Sequence, residues 1–196
     1  MRQRLRDGYT RAQLDELYKD QHRHEVFPDH IERVEQTVGF AVEHAGAAID
    51  AAPFNFYIGD LSAGDAAIPK RIFQHYPEKV KLYLGDLTPG YPLCGTIGET
   101  LPQLPNAVDL YVCCETIEHV DNPDKLLQEI RFHAAALLLS TPVDNFEDDN
   151  PEHLWSWSRP SVEEMLTSAG WQPAAFRLVD MRPKGFPYAW GIWYCQ

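Results

Sequence analysis

Phe54-Asn55-Phe56-Tyr57-Ile58-Gly59-Asp60-Leu61-Ser62-Ala63-Gly64-Asp65-Ala66-Ala67 decides the fold. Residues 54–58 are aromatic and β-branched, which predicts a strand. The run breaks at Gly59 into small residues. Ala66, Ala67, Ile68, Ile72 and Phe73 then fall at helical spacing, with Pro69 tolerable near the first turn. A strand that passes straight into a helix over small residues lets a ligand approach the backbone and the helix N-terminus. Asp60 adds a carboxylate at the strand end, where a cationic amino group could pair with it. Small residues also serve an ordinary turn, so this stretch alone leaves the ligand open.

The alternation continues outward. Val80–Leu84 reads as a second strand, closed by Gly85-Asp86, and a short third strand is expected near 94–97. Residues 108–114, VDLYVCC, form a fourth, and 135–140 a fifth that is apolar throughout and therefore central and parallel. Between the last two, Asp121-Asn122-Pro123 opens a helix through Phe132. Residues 144–157 read as a polar and aromatic loop. Ser161 followed three residues later by Glu164 matches a capping box, and Gly170 a C-terminal glycine. Residues 175–181 and 188–195 are two consecutive strands with a turn-rich link. Upstream, apolar residues from Phe27 to Ala45 mark a helix that starts at Pro28 and breaks at Gly46, preceded by a shorter helix around Leu14 and Tyr18.

Strands alternating with helices predict an α/β fold. It is a Rossmann-like, mostly parallel seven-stranded sheet with helices on both faces and an antiparallel C-terminal edge hairpin. In such sheets ligands bind beyond the carboxyl ends of the strands, at the switch point. One domain is expected over residues 1–196, with 1–50 as an N-terminal helical cap and 51–196 as the core.

Composition narrows the function classes. The 196 residues carry 17 Lys+Arg against 29 Asp+Glu, a formal net charge of −12. That balance disfavours nucleic acid, which is gripped by a basic face. Only residues 1–11 are locally basic, and they read as a solvated, frayed terminus. No apolar run is long enough for a membrane span and no secretory signal is visible, so a cytoplasmic location is expected. Cys94, Cys113, Cys114 and Cys195 form no CxxC pair and read as buried free thiols. His22, His24, His30 and His153 do not match a metal-ligand spacing, so no metal is expected.

Two further features point to the same end of the sheet. Asp86 lies one βα unit on, where a carboxylate can accept both hydroxyls of a ribose. A buried strand then delivers Glu115, Glu118 and His119 to the ligand face. The segment VDLYVCCETIEHV (108–120) resembles the region after strand four in class I S-adenosylmethionine-dependent methyltransferases of the small-molecule, ubiquinone-biosynthesis-like type. Within that frame IGDLSAGDA (58–66) resembles the family's glycine-rich first motif. Glu152–Trp157 and Met165–Trp171 resemble its later segments. The likeness covers residues 54–196, and Ser62 and Ala66 stand where the family usually has glycine.

The resemblance implies S-adenosyl-L-methionine as cofactor, held by Asp60, Ser62, Gly64, Asp86, Leu87, Glu99, Thr100 and Glu115. It implies methyl transfer to oxygen or nitrogen of a small-molecule or sugar-like acceptor. His119 and His153 are the candidate catalytic bases; Tyr18, His30 and Trp155 are candidate acceptor contacts. A nicotinamide-dependent enzyme would need a GxGxxG turn and a second, substrate-binding region. A non-catalytic methyltransferase-like binding protein is the other alternative. An amine methyltransferase acting on nucleic acid would carry Asn/Asp-Pro-Pro-aromatic where this chain has Glu115-Thr116-Ile117-Glu118. Oligomeric state is left open.

Overall fold

The strand at the head of the deciding stretch forms at Phe56–Asp60, two residues later than its aromatic run suggests, because Phe54 stays exposed and Asp60 is drawn into the sheet. In this computed structural model the structure describes residues 1–20 and 27–196; His22 and His24 lie outside them. In chain order the elements are β1 (Arg2–Arg4), α1 (Arg11–Leu17), α2 (Pro28–Ala51), β2 (Phe56–Asp60), α3 (Ala67–His75), β3 (Val80–Asp86), β4 (Leu93–Cys94), α4 (Ile97–Thr100), β5 (Val108–Cys114), α5 (Pro123–Arg131), β6 (Ala134–Val143), β7 (Trp155–Trp157), α6 (Arg159–Ser168), β8 (Pro173–Asp180) and β9 (Ala189–Cys195).

The main sheet has seven strands in the order β4-β3-β2-β5-β6-β9-β8. β4, β3, β2, β5 and β6 pair in parallel, and β9 pairs antiparallel with both β6 and β8. The C-terminal hairpin therefore forms one edge of the sheet, as expected, with its strands in reversed order. Its second strand, β9, lies inside the sheet and all seven of its residues are buried, while β8 takes the edge. The order reverses between β2 and β5, and that is the switch point.

Helices cover both faces. On one, Val34, Val38 and Ile49 of α2 and Ile72 of α3 pack on Ile58, Leu110 and Leu138. On the other, Leu127 and Ile130 of α5 and Val162 and Leu166 of α6 pack on Tyr111, Leu137 and Trp193. Each such side chain contributes about 1.5–3 kcal/mol on leaving water. Gly46 does not end α2. A Cβ there would lie 2.7 Å from the Tyr76 hydroxyl, so the glycine permits close packing rather than a break.

Two N-terminal expectations are corrected. Residues 2–4 are not frayed: β1 pairs antiparallel with β7, inside the stretch read as loop, and the Met1 ammonium donates to the Ser158 and Ser161 hydroxyls at 2.6 and 2.7 Å. That use of Ser161 also displaces the capping box. α6 starts earlier, with Ser158 at its N-cap and Pro160 in its first turn. Of the four cysteines, all free, Cys94 is exposed. No described helix is long and apolar enough to cross a membrane.

Candidate functional site

A cavity of about 1180 Å³ opens at the carboxyl ends of β2, β3, β5 and β6. Its base is the turn after β2. Ser62 N–H donates to Asp60 Oδ1 at 3.1 Å, Ala63 N–H to the Gly85 carbonyl at 3.0 Å, and Ala67 N–H to Asp65 Oδ1 at 3.0 Å. Gly64 has φ 55°, in the left-handed region that glycine enters without strain. Its N–H donates to Asp86 Oδ2 at 2.8 Å, and the Tyr91 hydroxyl donates to its carbonyl at 2.7 Å. Asp86 Oδ1 accepts the Thr88 N–H at 2.8 Å. Two amide donors occupy part of that carboxylate's acceptor capacity and leave lone pairs for a ligand.

Among the described residues three non-glycine residues adopt positive φ: Ala66 (58°), Glu115 (51°) and Asp144 (57°). Ala66 follows β2, Glu115 follows β5 and Asp144 follows β6. Backbone strain of roughly 1–3 kcal/mol each is thus concentrated around the cavity, as it is at many functional sites. Ser62 has a structural use for the side chain that glycine would lack: its hydroxyl hydrogen-bonds Thr116 Oγ1 at 2.8 Å, tying the turn after β2 to that after β5. Glu115 accepts the Ser140 hydroxyl at 2.8 Å.

Past β5 a 3-10 turn, Ile117–His119, brings Glu118 and His119 under the loop after β6. Glu118 is almost wholly buried; Thr141 donates to its Oε2 at 3.0 Å, while its Oε1 has no hydrogen-bond partner among the described residues. Burial, followed by the charge of Glu115, pushes its pKa up to about 8. The His119 and His153 rings meet edge to face, centroids 4.8 Å apart. His119 Nδ1 lies 3.1 Å from the Glu152 carbonyl and 3.4 Å from the Tyr18 hydroxyl. His153 Nδ1 lies 2.7 Å from Asp148 Oδ2, and the Asn150 amide nitrogen is 3.1 Å from its Nε2. Burial disfavours the imidazolium of His153, but the hydrogen bond to Asp148 and the charge of Glu118 outweigh it, so its pKa rises.

The N-terminus shapes this loop. The Arg6 guanidinium donates to the carbonyls of Asn150, His153 (2.5 Å) and Asp148 (3.2 Å), and the Tyr9 hydroxyl to that of Pro151. The basic run 2–11 was the sequence signal for this contact, though its target could not be read from it.

Nine of the expected positions line the cavity: Tyr18, His30, Ser62, Gly64, Asp86, Leu87, Glu115, His119 and His153. Four do not. Asp60 lies buried beneath the turn, bonded to Ser62, and burial pushes its pKa up to about 8. Glu99 is spent in a capping box, accepting the Thr96 N–H at 2.8 Å, and in an ion pair with Arg11 at 2.8 Å. Thr100 is fully buried and donates to the Thr96 carbonyl at 3.0 Å. Trp155 packs under Arg2 and Arg4, ring to guanidinium at 4.4 and 5.0 Å, and donates to the Val120 carbonyl at 3.0 Å. Thr96, Ile97 and Gly98 take the wall expected of Glu99 and Thr100. Sequence reading also missed Thr88, Phe146, Asp148 and Tyr188, which reach the cavity from loops. Lys125 is the single Lys or Arg in the lining, against many carboxylates, among the described residues.

No protein-family profile matches the chain, and no curated protein matches it in sequence. Solved structures do match in fold. A Burkholderia thailandensis 1,6-didemethyltoxoflavin N1-methyltransferase, with its substrate and S-adenosylhomocysteine bound, superposes with TM-score 0.58 at 15% identity, over 83% of this chain and 78% of that one. A Leishmania major SAM-dependent methyltransferase gives 0.56 at 11% identity, over 94% and 82%. The (4+2)-cyclase SpnF gives 0.62 at 11% identity, over 82% and 80%. The chain spans 56% of a Nostoc punctiforme protein described as an O-methyltransferase, another of the structures it matches. The sheet order, the inserted antiparallel strand and these neighbours give the chain the Rossmann-like fold of class I S-adenosylmethionine-dependent methyltransferases.

Proposed function

We propose that the protein is an S-adenosylmethionine-dependent methyltransferase acting on oxygen or nitrogen of a small-molecule or sugar-like acceptor. The observation that carries this reading is the joined pair Gly64 and Asp86, beyond the carboxyl ends of β2 and β3 in the wall of the cavity. The residues present fit the cofactor. Gly64 takes the left-handed turn without Cβ strain, Asp86 keeps acceptor capacity for ribose hydroxyls, and Leu87 and Ile97 offer apolar walls to a planar base. Glu115 and the turn carbonyls supply negative charge for the amino acid portion. When bound, the cofactor supplies an electrophilic methyl group on a sulfonium.

The chain's own contribution is alignment, which can lower a barrier by about 7–11 kcal/mol at best. His119 and His153 are placed to take a proton from an acceptor hydroxyl or ammonium, and Asp148 fixes the His153 ring. Tyr18, His30, Phe146 and Trp190 form the acceptor side. A lining with one lysine and many carboxylates favours a neutral or cationic acceptor over an anionic one. Residues 1–196 act as one unit in this reading, with residues 1–50 contributing Tyr9, Leu14 and Tyr18 to the cavity.

Calorimetric titration with S-adenosylmethionine and S-adenosylhomocysteine tests the cofactor. A mass-spectrometric screen for +14 Da products, across neutral and cationic metabolites, tests the acceptor. No affinity for either cofactor form sinks the reading. The second reading is a chain that uses this fold for chemistry other than methyl transfer, and the similarity to SpnF favours it. Tight S-adenosylhomocysteine binding with no methylated product over a broad screen would support it.

A further inference from the structure

We infer that Arg6 is a positioning residue for His153. Its guanidinium gathers the carbonyls of Asp148, Asn150 and His153, and thereby fixes the pair that His153 forms with Asp148 in the cavity wall. Arg6 lies outside the methyltransferase-like stretch 54–196, in the basic run 2–11. Its bearing on methyl transfer rests on the methyltransferase reading, whereas its hold on the pair does not.

Three carbonyl dipoles aimed at one point repel one another, and a cation with several N–H groups relieves that repulsion. Arg6 meets the need with a rigid fork of donors. Its Nη1 serves Asn150 and His153 (2.5 Å), and its Nη2 serves Asp148 at 3.2 Å. The Tyr9 hydroxyl takes a fourth carbonyl, that of Pro151. The backbone delivers both side chains. Arg2–Arg4 pairs with Trp155–Trp157, and the Leu5 N–H donates to the Leu154 carbonyl at 2.9 Å. From residue 6 onward, side chains take over from the ladder in holding the loop.

The gathered loop builds the pair. Asp148 Oδ1 accepts the Asn150 N–H at 2.9 Å, and its Oδ2 lies 2.7 Å from His153 Nδ1. The Asn150 carbonyl, itself held by Arg6, accepts the His153 N–H at 3.2 Å. A proton on Nδ1 toward Asp148 leaves Nε2 as an acceptor, now met by the Asn150 amide at 3.1 Å. Burial opposes ionisation of Asp148, but the hydrogen bond and charge of His153, the Asn150 amide and the charge of Arg6 outweigh it, and its pKa falls. Glu118 and Glu115 also face His153 with negative charge, and the His119 ring meets it edge to face.

The sign of the effect on His153 separates two roles for Arg6. As a nearby positive charge it disfavours the imidazolium, so losing that charge alone would raise the His153 pKa. As the group that keeps Asp148 against the ring, its loss lowers the pKa.

The test follows the histidine ring protons of the full chain by NMR through a pH titration, with His153→Gln identifying the His153 signal. Arg6→Gln is expected to lower the His153 midpoint by about half a pH unit or more. Arg6→Lys keeps the charge without the fork and should lower it by a smaller step. In an Asp148→Asn background, Arg6→Gln should no longer lower it. A midpoint that stays or rises in Arg6→Gln, or that falls equally in the Asp148→Asn background, overturns the inference. Should Arg6→Gln fail to fold by circular dichroism, an unchanged midpoint in Arg6→Lys overturns it instead. S-adenosylhomocysteine affinity, measured in parallel, should stay within twofold, because the wall at Gly64 and Asp86 is untouched. Titration shifts without affinity in the parent keep the hold of Arg6 on the pair and remove the methyltransferase reading; affinity without the shifts does the reverse.

Discussion

Asp86 and Gly64 sit 22 residues apart on neighbouring strand ends, and the carboxylate of one accepts the amide hydrogen of the other at 2.8 Å. One residue thus shapes the turn and, in the proposed function, grips the ribose. Asp86→Ala is expected to weaken S-adenosylhomocysteine binding at least tenfold by calorimetry. It should also lower stability by about 1–3 kcal/mol, because the amides of Gly64 and Thr88 lose their acceptor. An unchanged dissociation constant would remove Asp86 from the cofactor site whatever the stability loss.

Glu99 provides the contrast. Its carboxylate caps α4 and pairs with Arg11 outside the cavity. Glu99→Ala is expected to cost about 1 kcal/mol, the usual scale of a lost cap. The dissociation constant for S-adenosylhomocysteine should stay within twofold of the parent value. A tenfold loss with intact helix content would restore Glu99 as a cofactor contact.

Ala66 holds φ 58° at the N-cap of α3 and is fully buried. An alanine in that conformation costs roughly 1 kcal/mol relative to glycine. Ala66→Gly is therefore expected to raise the unfolding free energy by about 0.5–1 kcal/mol in a urea titration, with the turn geometry kept. A destabilised variant would show that the methyl group's packing outweighs the backbone strain.

The fold was legible because its signals are local. The aromatic run before Gly59 and the apolar stretches 108–114 and 135–140 mark the centre of a parallel sheet by composition alone. Pro28, Asn122 and Gly170 mark helix ends by backbone chemistry. What stayed hidden was set by contacts distant in sequence. β1 is recognisable as a strand only once β7 is beside it, more than 150 residues away. Ser161 looks like a cap until the Met1 ammonium claims it. At the site, residues directly after strands reach the cavity: Ser62, Gly64, Asp86, Glu115 and His119 all line it. Glu99, Thr100 and Trp155 fall outside the lining because side-chain direction, unlike position along the chain, is not written in the local sequence. A side chain two residues along a helix turn points away from its neighbour's target.

Trp155 carries the N-terminal strand. Arg2 and Arg4 lie over its ring, and its indole donates to the Val120 carbonyl at 3.0 Å. Trp155→Ala is expected to destabilise the protein by about 3 kcal/mol, the low end for truncating a packed tryptophan. Hydrogen exchange should accelerate at residues 2–4 and at 148–153, which Arg6 holds from the same segment. Protection unchanged in both segments would show that β1 docks without this ring.

Asp60 should make stability depend on pH in a way that its charge would not suggest. Burial pushes its folded pKa up to about 8, far above the roughly 3.9 of an unfolded chain. Below pH 4 both states are protonated and Asp60 contributes no difference. As pH rises, the unfolded chain ionises first and gains free energy, so stability falls between about pH 4 and 8, by up to ~1.4 kcal/mol per unit. Above the folded pKa both states are charged and the loss levels off. Asp60→Asn stays neutral throughout and retains an oxygen to accept the Ser62 amide. Its stability advantage over the parent should therefore widen from pH 5 to pH 7.5 in paired urea titrations. A constant difference across that window would mean that Asp60 is ionised in the folded chain.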